Sequence, residues 1–291
     1  MTARIIDGTA IAAAVRADVA REVEAHLAAG GARPHLSVIL VGEDPASQVY
    51  VRNKGRACEE AGMTSETILR PASLSQAELL AEVARLNADP AVSGILVQMP
   101  LPKQIDEFAV MRALEPKKDV DGLSPTSLGM LLQGRPAHVP ATPSGVVEML
   151  RRSGIDAEGQ RVVIVGRSVL VGRPLAMLLA NKAPGANATV TIAHTGTRDL
   201  GAVTREADIL VAAMGRARAI TADMVRPGAV VIDVGINQID DPTRKSGKRL
   251  VGDVDYEAVR EVASAITPVP GGVGPMTIAM LLVNTLAAAR M

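Results

Sequence analysis

Short runs that are apolar at nearly every position recur along the chain and alternate with helix-patterned stretches. LSVILVG (36–42) and GILVQMPLP (94–102) lie in the first half; RVVIVG (161–166), ADILVAAMG (207–215) and AVVIDVG (229–235) lie in the second, with ATVTIAH (188–194), strand-like but broken by two threonines, among them. A strand with one wet face alternates polar and apolar residues, whereas a strand buried on both faces is apolar throughout, as in a parallel sheet covered by helices. Between the runs, helices are marked by period and by caps. Thr9 precedes Ile11, Val15, Val19, Val23 and Leu27, one apolar residue every four, and Gly30-Gly31 closes that segment. Asp44-Pro45 opens a helix running to Gly62, a strand follows at 66–69, and Ser75-x-x-Glu78 is a capping box for a helix ending before Pro90. This alternation predicts an α/β protein rich in parallel strands.

A length of 291 residues fits two domains. HVPATPSG (138–145) reads as a hinge, with a helix over 143–152 leading into a βαβ rhythm typical of a doubly wound sheet. The predicted architecture is two-domain: an N-terminal α/β substrate domain over 1–140 and a Rossmann-like, doubly wound parallel-sheet domain over 141–274. The apolar helix over 275–290 is expected to pack back on the first domain, so that 275–291 joins it. The polar stretch 240–248 reads as a surface loop.

Composition excludes several classes of function. Lys plus Arg equals Asp plus Glu, 31 each, so no net field draws the chain to nucleic acid or to an anionic membrane. The three aromatics, Tyr50, Phe108 and Tyr256, form no stacking platform for single strands. No segment reaches the roughly 20 apolar residues of a membrane span, and the start of the chain has no signal-peptide pattern. Four scattered histidines and a single cysteine, Cys58, give no metal-ligand spacing, and one thiol suits a reducing, cytoplasmic compartment.

Chemistry concentrates at a few points. Tyr50 and Lys54, in VYVRNKG, are one helical turn apart and share a face. The phenol can stack on or hydrogen-bond a flat substrate while the amine moves a proton. A Tyr-x-x-x-Lys pair also marks short-chain dehydrogenases, but there it follows the dinucleotide turn; here it precedes one. That turn is Gly166-Arg167-Ser168, continuing to Gly172 and Pro174, between an apolar strand and a helix, the context of a nucleotide-binding turn or of a tight turn with no ligand. Ser168 stands where the second glycine of the usual pattern would be. After the next strand a dinucleotide fold that takes NAD carries an acid for the ribose; this chain has His194-Thr195-Gly196-Thr197-Arg198 instead. With Arg167, that set suits a 2′-phosphate, and NADP is the expected coenzyme. Gln98, at a strand end, and Asp121, in a turn, carry the donors and acceptors that fit the edge of an amino-substituted heterocycle. Each has a structural use as well: Gln98 can cap a strand, and Asp119 with Asp121 can shape the turn at Gly122. ITPVPGGVGPMT either brings backbone close to a ligand or links into the last helix.

Taken in order, VGEDPASQVYVRNKGRACEEAGM, GILVQMPLP, KKDVDG, PATPSG, VVIVGRSVLVGRP, AVVIDVGIN, GDV and ITPVPGGVGPMT resemble the signatures of the bifunctional methylenetetrahydrofolate dehydrogenase/methenyltetrahydrofolate cyclohydrolases. The resemblance covers nearly the whole chain. It implies a homodimer of two-domain subunits with folate in a cleft between the domains, NADP as coenzyme, and no metal. It makes Lys54 the catalytic lysine and Tyr50 its partner, with Gln98 supporting the lysine and Asp121 recognising the pterin. Pro270, Gly271 and Gly272 become substrate-binding. Gly166, Arg167, Ser168, Gly172, Thr195, Arg198 and Ile236 become coenzyme-binding. The loop KAPGAN is long for the family, and Thr195 stands where several relatives carry Ser. The implied reactions are oxidation of methylenetetrahydrofolate and hydrolysis of the methenyl product to formyltetrahydrofolate. A different NADP dehydrogenase, of the shikimate or amino-acid type, and a non-catalytic binding protein are the alternatives. Beside a cationic methenyl group, burial and repulsion are expected to lower the pKa of Lys54.

Overall fold

The structure, a computed structural model, describes residues 2–244 and 247–291. Each apolar run forms a strand. From the N-terminus the elements are β1 (Arg4–Ile5), α1 (Gly8–Ala28), β2 (His35–Val41), α2 (Pro45–Glu60), β3 (Thr64–Arg70), α3 (Gln76–Ala88), β4 (Gly94–Val97), α4 (Glu107–Ala113), α5 (Pro125–Leu132) and α6 (Ala141–Arg152). There follow β5 (Arg161–Val165), α7 (Gly172–Ala180), β6 (Thr189–Ala193), α8 (Leu200–Thr204), β7 (Ile209–Ala212), β8 (Val230–Asp233), β9 (Asn237–Asp240), β10 (Lys248–Val251), α9 (Tyr256–Val259), β11 (Ala265–Ile266) and α10 (Val273–Ala289).

The chain divides into two compact units: Met1–Ala12 with Thr142–Thr277, and Ala13–Ala141 with Ile278–Met291. The second of these holds a three-stranded parallel sheet in the order β3-β2-β4, extended beyond β4 by a parallel bridge from Ile95 to Asp119. Leu79, Val83 and Leu86, the apolar stripe of α3, are buried with Ile39, Val41, Ile95 and Val97 of the sheet and Val110 of α4. Burying a side chain of this size stabilises by about 1.5–3 kcal/mol, so the stripe alone fixes the helix on the sheet. The capping box is present in full, with Ser75 accepting from Glu78 N and the Glu78 carboxylate accepting from Ser75 N. The C-terminal helix lies in this unit from Ile278 onward. Asn284 Nδ2 donates to the carbonyls of Val120 and Val139, both at 2.8 Å, and Arg290 pairs with Glu22 at 2.8 Å.

The other unit carries a six-stranded, wholly parallel sheet in the order β1-β11-β8-β7-β5-β6. Its core joins Val163, Val165, Leu210, Val231 and Ile266 of the strands to Val259 of α9. Residues before 13 were expected in the substrate domain, but they belong here. The cause is β1, which pairs with β11 through Arg4 opposite Ala265 and Ile5 opposite Ile266, while Ile6 N donates to Ile266 O at 2.8 Å. Two-residue strands carry too little pattern to be read from sequence. The first helix begins before Thr9, because Asp7 Oδ1 caps it by accepting from Ala10 N at 3.0 Å. Of the stretch 240–248, expected as a loop, the two ends are strand residues, Asp240 of β9 pairing with Lys248 of β10 in an antiparallel hairpin; residues 245 and 246 lie outside the described ones. Among the described residues no helix is long and apolar enough to cross a membrane.

Candidate active site

Asp44 caps α2 by accepting from Ser47 N at 2.8 Å, and Pro45 fills the first turn, where its missing N–H has no helical partner to lose. The helix then presents Tyr50, Lys54 and Cys58 at successive turns. Tyr50 is exposed, Lys54 is buried and Cys58 is fully buried, so this face descends from solvent into the core. Burial pushes the Cys58 thiol up to about 12, so it carries no thiolate for chemistry.

Lys54 Nζ donates to Gln98 Oε1 at 2.9 Å. Gln98 follows β4 directly, its N bonded to Ile39 O at 2.9 Å, and its Nε2 donates to Met99 O at 2.8 Å. The second bond aims the amide oxygen at the lysine. Asp121 comes from the turn that continues the sheet beside β4, where Ile95 N donates to Lys118 O at 2.8 Å. The two acids of KKDVDG have separate work. Asp119 is buried and accepts from Ser124 N at 2.8 Å and Ser127 Oγ at 2.6 Å, which shapes the turn. Asp121 makes no hydrogen bond to another group among the described residues, but it lies within electrostatic reach of Lys54. Burial lowers the Lys54 pKa from its ordinary value, with the Asp121 charge opposing. Burial raises that of Asp121, with Lys54 opposing and Asp119 adding to the rise. Both groups are therefore displaced toward their neutral forms. Lys54, Gln98 and Asp121 thus converge, with Tyr50 one turn away toward solvent.

In the six-stranded unit the candidate coenzyme residues all follow strands at the carboxyl edge, where ligands of open parallel sheets bind. Gly166 ends β5 with φ +140°. A Cβ there would collide with Ala213 O, and one at Gly172 would collide with Gly166 O, so both glycines are required for the turn to close. Ser168 Oγ accepts from Val171 N at 3.1 Å, and Ser168 O from Arg173 N at 3.1 Å, which fixes the turn and leaves Arg167 exposed. After β6, Thr197 Oγ1 accepts from His194 N at 2.9 Å, and the resulting turn displays Thr195 and Arg198 to solvent. The nearest acid, Asp199, caps α8 by accepting from Ala202 N at 3.0 Å. Ile236 is exposed just after β8. Pro270, Gly271 and Gly272 follow β11 in this same unit, and Gly271 O accepts from Thr9 N at 3.0 Å. Among the described residues no group of three His, Cys, Asp or Glu could hold a metal ion.

Residues 6–121 match the family described as "Tetrahydrofolate dehydrogenase/cyclohydrolase, catalytic domain", and residues 140–291 match its NAD(P)-binding domain. The chain belongs to the tetrahydrofolate dehydrogenase/cyclohydrolase family. It is 57% identical to "Bifunctional protein FolD" of Rhodopirellula baltica over 100% of this chain and 98% of that protein. It is equally identical to the protein of that name from Dehalococcoides mccartyi, over the same shares. Among solved structures, the FolD dehydrogenase/cyclohydrolase of Campylobacter jejuni superposes with a TM-score of 0.92 at 44% identity, over 98% of each chain. The Trypanosoma brucei enzyme, complexed with NADP and an inhibitor, superposes with a TM-score of 0.93 at 42% identity, over 100% of this chain and 98% of that one. Shikimate 5-dehydrogenase of Listeria monocytogenes, at 15% identity and a TM-score of 0.54, shares the fold alone. This family member is therefore a bifunctional dehydrogenase and cyclohydrolase with an NAD(P)-binding domain.

Proposed function

We propose that the Lys54–Gln98–Asp121 cluster serves both reactions of this enzyme, oxidation of 5,10-methylenetetrahydrofolate and hydrolysis of the methenyl product to 10-formyltetrahydrofolate. The observation that carries this reading is the buried Lys54 amine, held 2.9 Å from Gln98 Oε1 and beside the Asp121 carboxyl. Asp121, with no hydrogen bond to another protein group among the described residues, presents its carboxyl to the donors of the pterin edge. Tyr50 supplies an exposed ring for the flat part of the substrate.

Held by the glycine turn with Arg167, Thr195 and Arg198, NADP would supply the acceptor for a hydride from the one-carbon bridge. For that step the chain supplies mainly alignment. Hydrolysis asks more of Lys54. Its amine, shifted by burial toward the neutral form, removes a proton from water as the oxygen bonds to the methenyl carbon. The proton then returns to the ring nitrogen as its bond to that carbon breaks, and the remaining hydroxyl proton passes to solvent, leaving the formyl group on the other nitrogen. Gln98 Oε1 fixes the amine by accepting one of its hydrogens, leaving the lone pair free to face the water.

The coenzyme preference is for NADP over NAD. Its support is the exposed pair Arg167 and Arg198, with Thr195, and the commitment of Asp199 to capping α8. The glycine turn closes as the diphosphate requires, so the residues present fit the coenzyme. The working form is a cytoplasmic homodimer, in keeping with the family signatures and the lone, buried, unreactive thiol. Methenyl formation followed spectrophotometrically with NADP, and separately with NAD, tests the reaction and the preference together. Turnover of shikimate or an amino acid in place of the folate would overturn the assignment of the cluster.

A further inference from the structure

Two short motifs, VIDVGIN (231–237) and GDV (252–254), enclose a pair of carboxylates that neither reaction uses. Asp253 is fully buried. Its Oδ2 accepts from Met214 N at 2.6 Å and Gly215 N at 2.9 Å, and its Oδ1 accepts from Arg216 N at 2.7 Å and Asn237 Nδ2 at 2.8 Å. Asp233, also buried, accepts from Gly235 N, Asp253 N and Val254 N, each at 2.9 Å, and so holds the segment that carries Asp253. The glycines of both motifs are explained by this arrangement. A Cβ at Gly235 would collide with the Asp253 carboxylate, and one at Gly252 with that of Asp233.

The clamped segments are the loop after β7 and the segment after β8. Strand order places them relative to the coenzyme. The sheet runs β8-β7-β5-β6, with the diphosphate turn after β5 and the Thr195–Arg198 turn after β6. A dinucleotide whose 2′-phosphate end lies over β6 and whose diphosphate lies over β5 must extend its other nucleotide over β7 and β8. Ala213, first residue of the clamped loop, already touches the coenzyme turn, since its carbonyl occupies the space a Gly166 side chain would need. Ile236 adjoins Asn237 in the other clamped segment.

We propose that Asp253 is a positioning residue for the coenzyme, its buried carboxylate holding residues 214–216 and 236–237 in the shape that receives the nicotinamide nucleotide. This rests on the reading that NADP lies along the carboxyl edge of the six-stranded sheet. Asparagine at 253 keeps the shape but replaces one oxygen with a donor, so two of the four bonds become donor against donor.

The test is the binding of NADP to the purified full chain by titration calorimetry, alongside cyclohydrolase turnover of methenyltetrahydrofolate without coenzyme. Loss of charge-assisted bonds in Asp253→Asn is expected to raise the NADP Kd by about tenfold or more, with cyclohydrolase turnover close to wild type. A folded variant with wild-type Kd overturns the proposal. So does an equal fall in both activities at unchanged Kd, which is the signature of a structural role only. Where Asp253→Asn does not fold, Asn237→Ala decides, because it removes one donor and leaves the three backbone bonds. A raised Kd with intact cyclohydrolase upholds the proposal and a wild-type Kd overturns it. Arg167→Ala separates the two levels. If it weakens NADP while Asp253→Asn does not, only the present proposal fails; if neither does, the coenzyme edge itself is misassigned.

Discussion

Replacing Lys54 with methionine separates the two activities by amounts that follow from the site. Methionine keeps most of the buried stem but has no transferable proton. A general acid–base group contributes typically 10²–10⁴-fold, about 2.7–5.4 kcal/mol of barrier, and the cyclohydrolase should lose that much. The dehydrogenase loses only the alignment supplied by the 2.9 Å bond to Gln98, about 1 kcal/mol or less than tenfold. Folding stability responds in the opposite direction to the lost bond. The buried amine binds a proton less readily than in the unfolded chain, where its pKa is near 10.5. Below that value the unfolded state holds more protons, so burying the amine costs stability at neutral pH, and the cost fades as pH approaches 10.5. Lys54→Met is therefore expected to melt close to or above wild type at pH 7, with the difference turning against the variant in alkali. The assay pairs methenyl disappearance, corrected for spontaneous hydrolysis, with NADPH formation in one preparation. Near-normal hydrolysis in the variant would remove Lys54 from proton transfer. Equal loss of both activities in a folded variant would make it a group that orients substrate for each.

Arg167→Ala should lower kcat/KM for NADP by about tenfold to a hundredfold and leave NAD little changed, since only NADP carries the phosphate a guanidinium grips. Equal falls with both coenzymes would assign Arg167 to the diphosphate or the fold. The cyclohydrolase rate should fall as pH drops through the lowered Lys54 pKa, because protonation removes the base; an inflection at the ordinary 10.5 would refute a buried neutral amine. Gly172→Ala drives a methyl group into Gly166 O and should abolish NADP binding, measured by calorimetry, while cyclohydrolase turnover persists; unimpaired binding would show that the turn does not cradle the coenzyme.

The sequence by itself determined the parallel α/β character, because strands buried on both faces must be apolar throughout, and β2, β4, β5, β7 and β8 were legible on that ground. It also determined the caps at Asp44 and Ser75, whose bonds are local, and the Tyr50–Lys54 face, which follows from helical period alone. The glycine turn was legible because its chemistry lies within a few consecutive residues. The tertiary structure decided what depends on distant partners. Strands β1 and β11 have two residues each and are set by distant partners, β11 pairing with β8 and β1 with β11, which places the residues before Ala13 in the six-stranded unit. Asp119 and Asp121 read alike in sequence; bonds from Ser124 and Ser127 make one a turn-former, while burial raises the pKa of the other against the opposing charge of Lys54. The Asp253 clamp joins residues 214–216 and 237 across the sheet edge. No periodicity marks such a contact, because a buried carboxylate is satisfied by whichever backbone donors the fold brings to it.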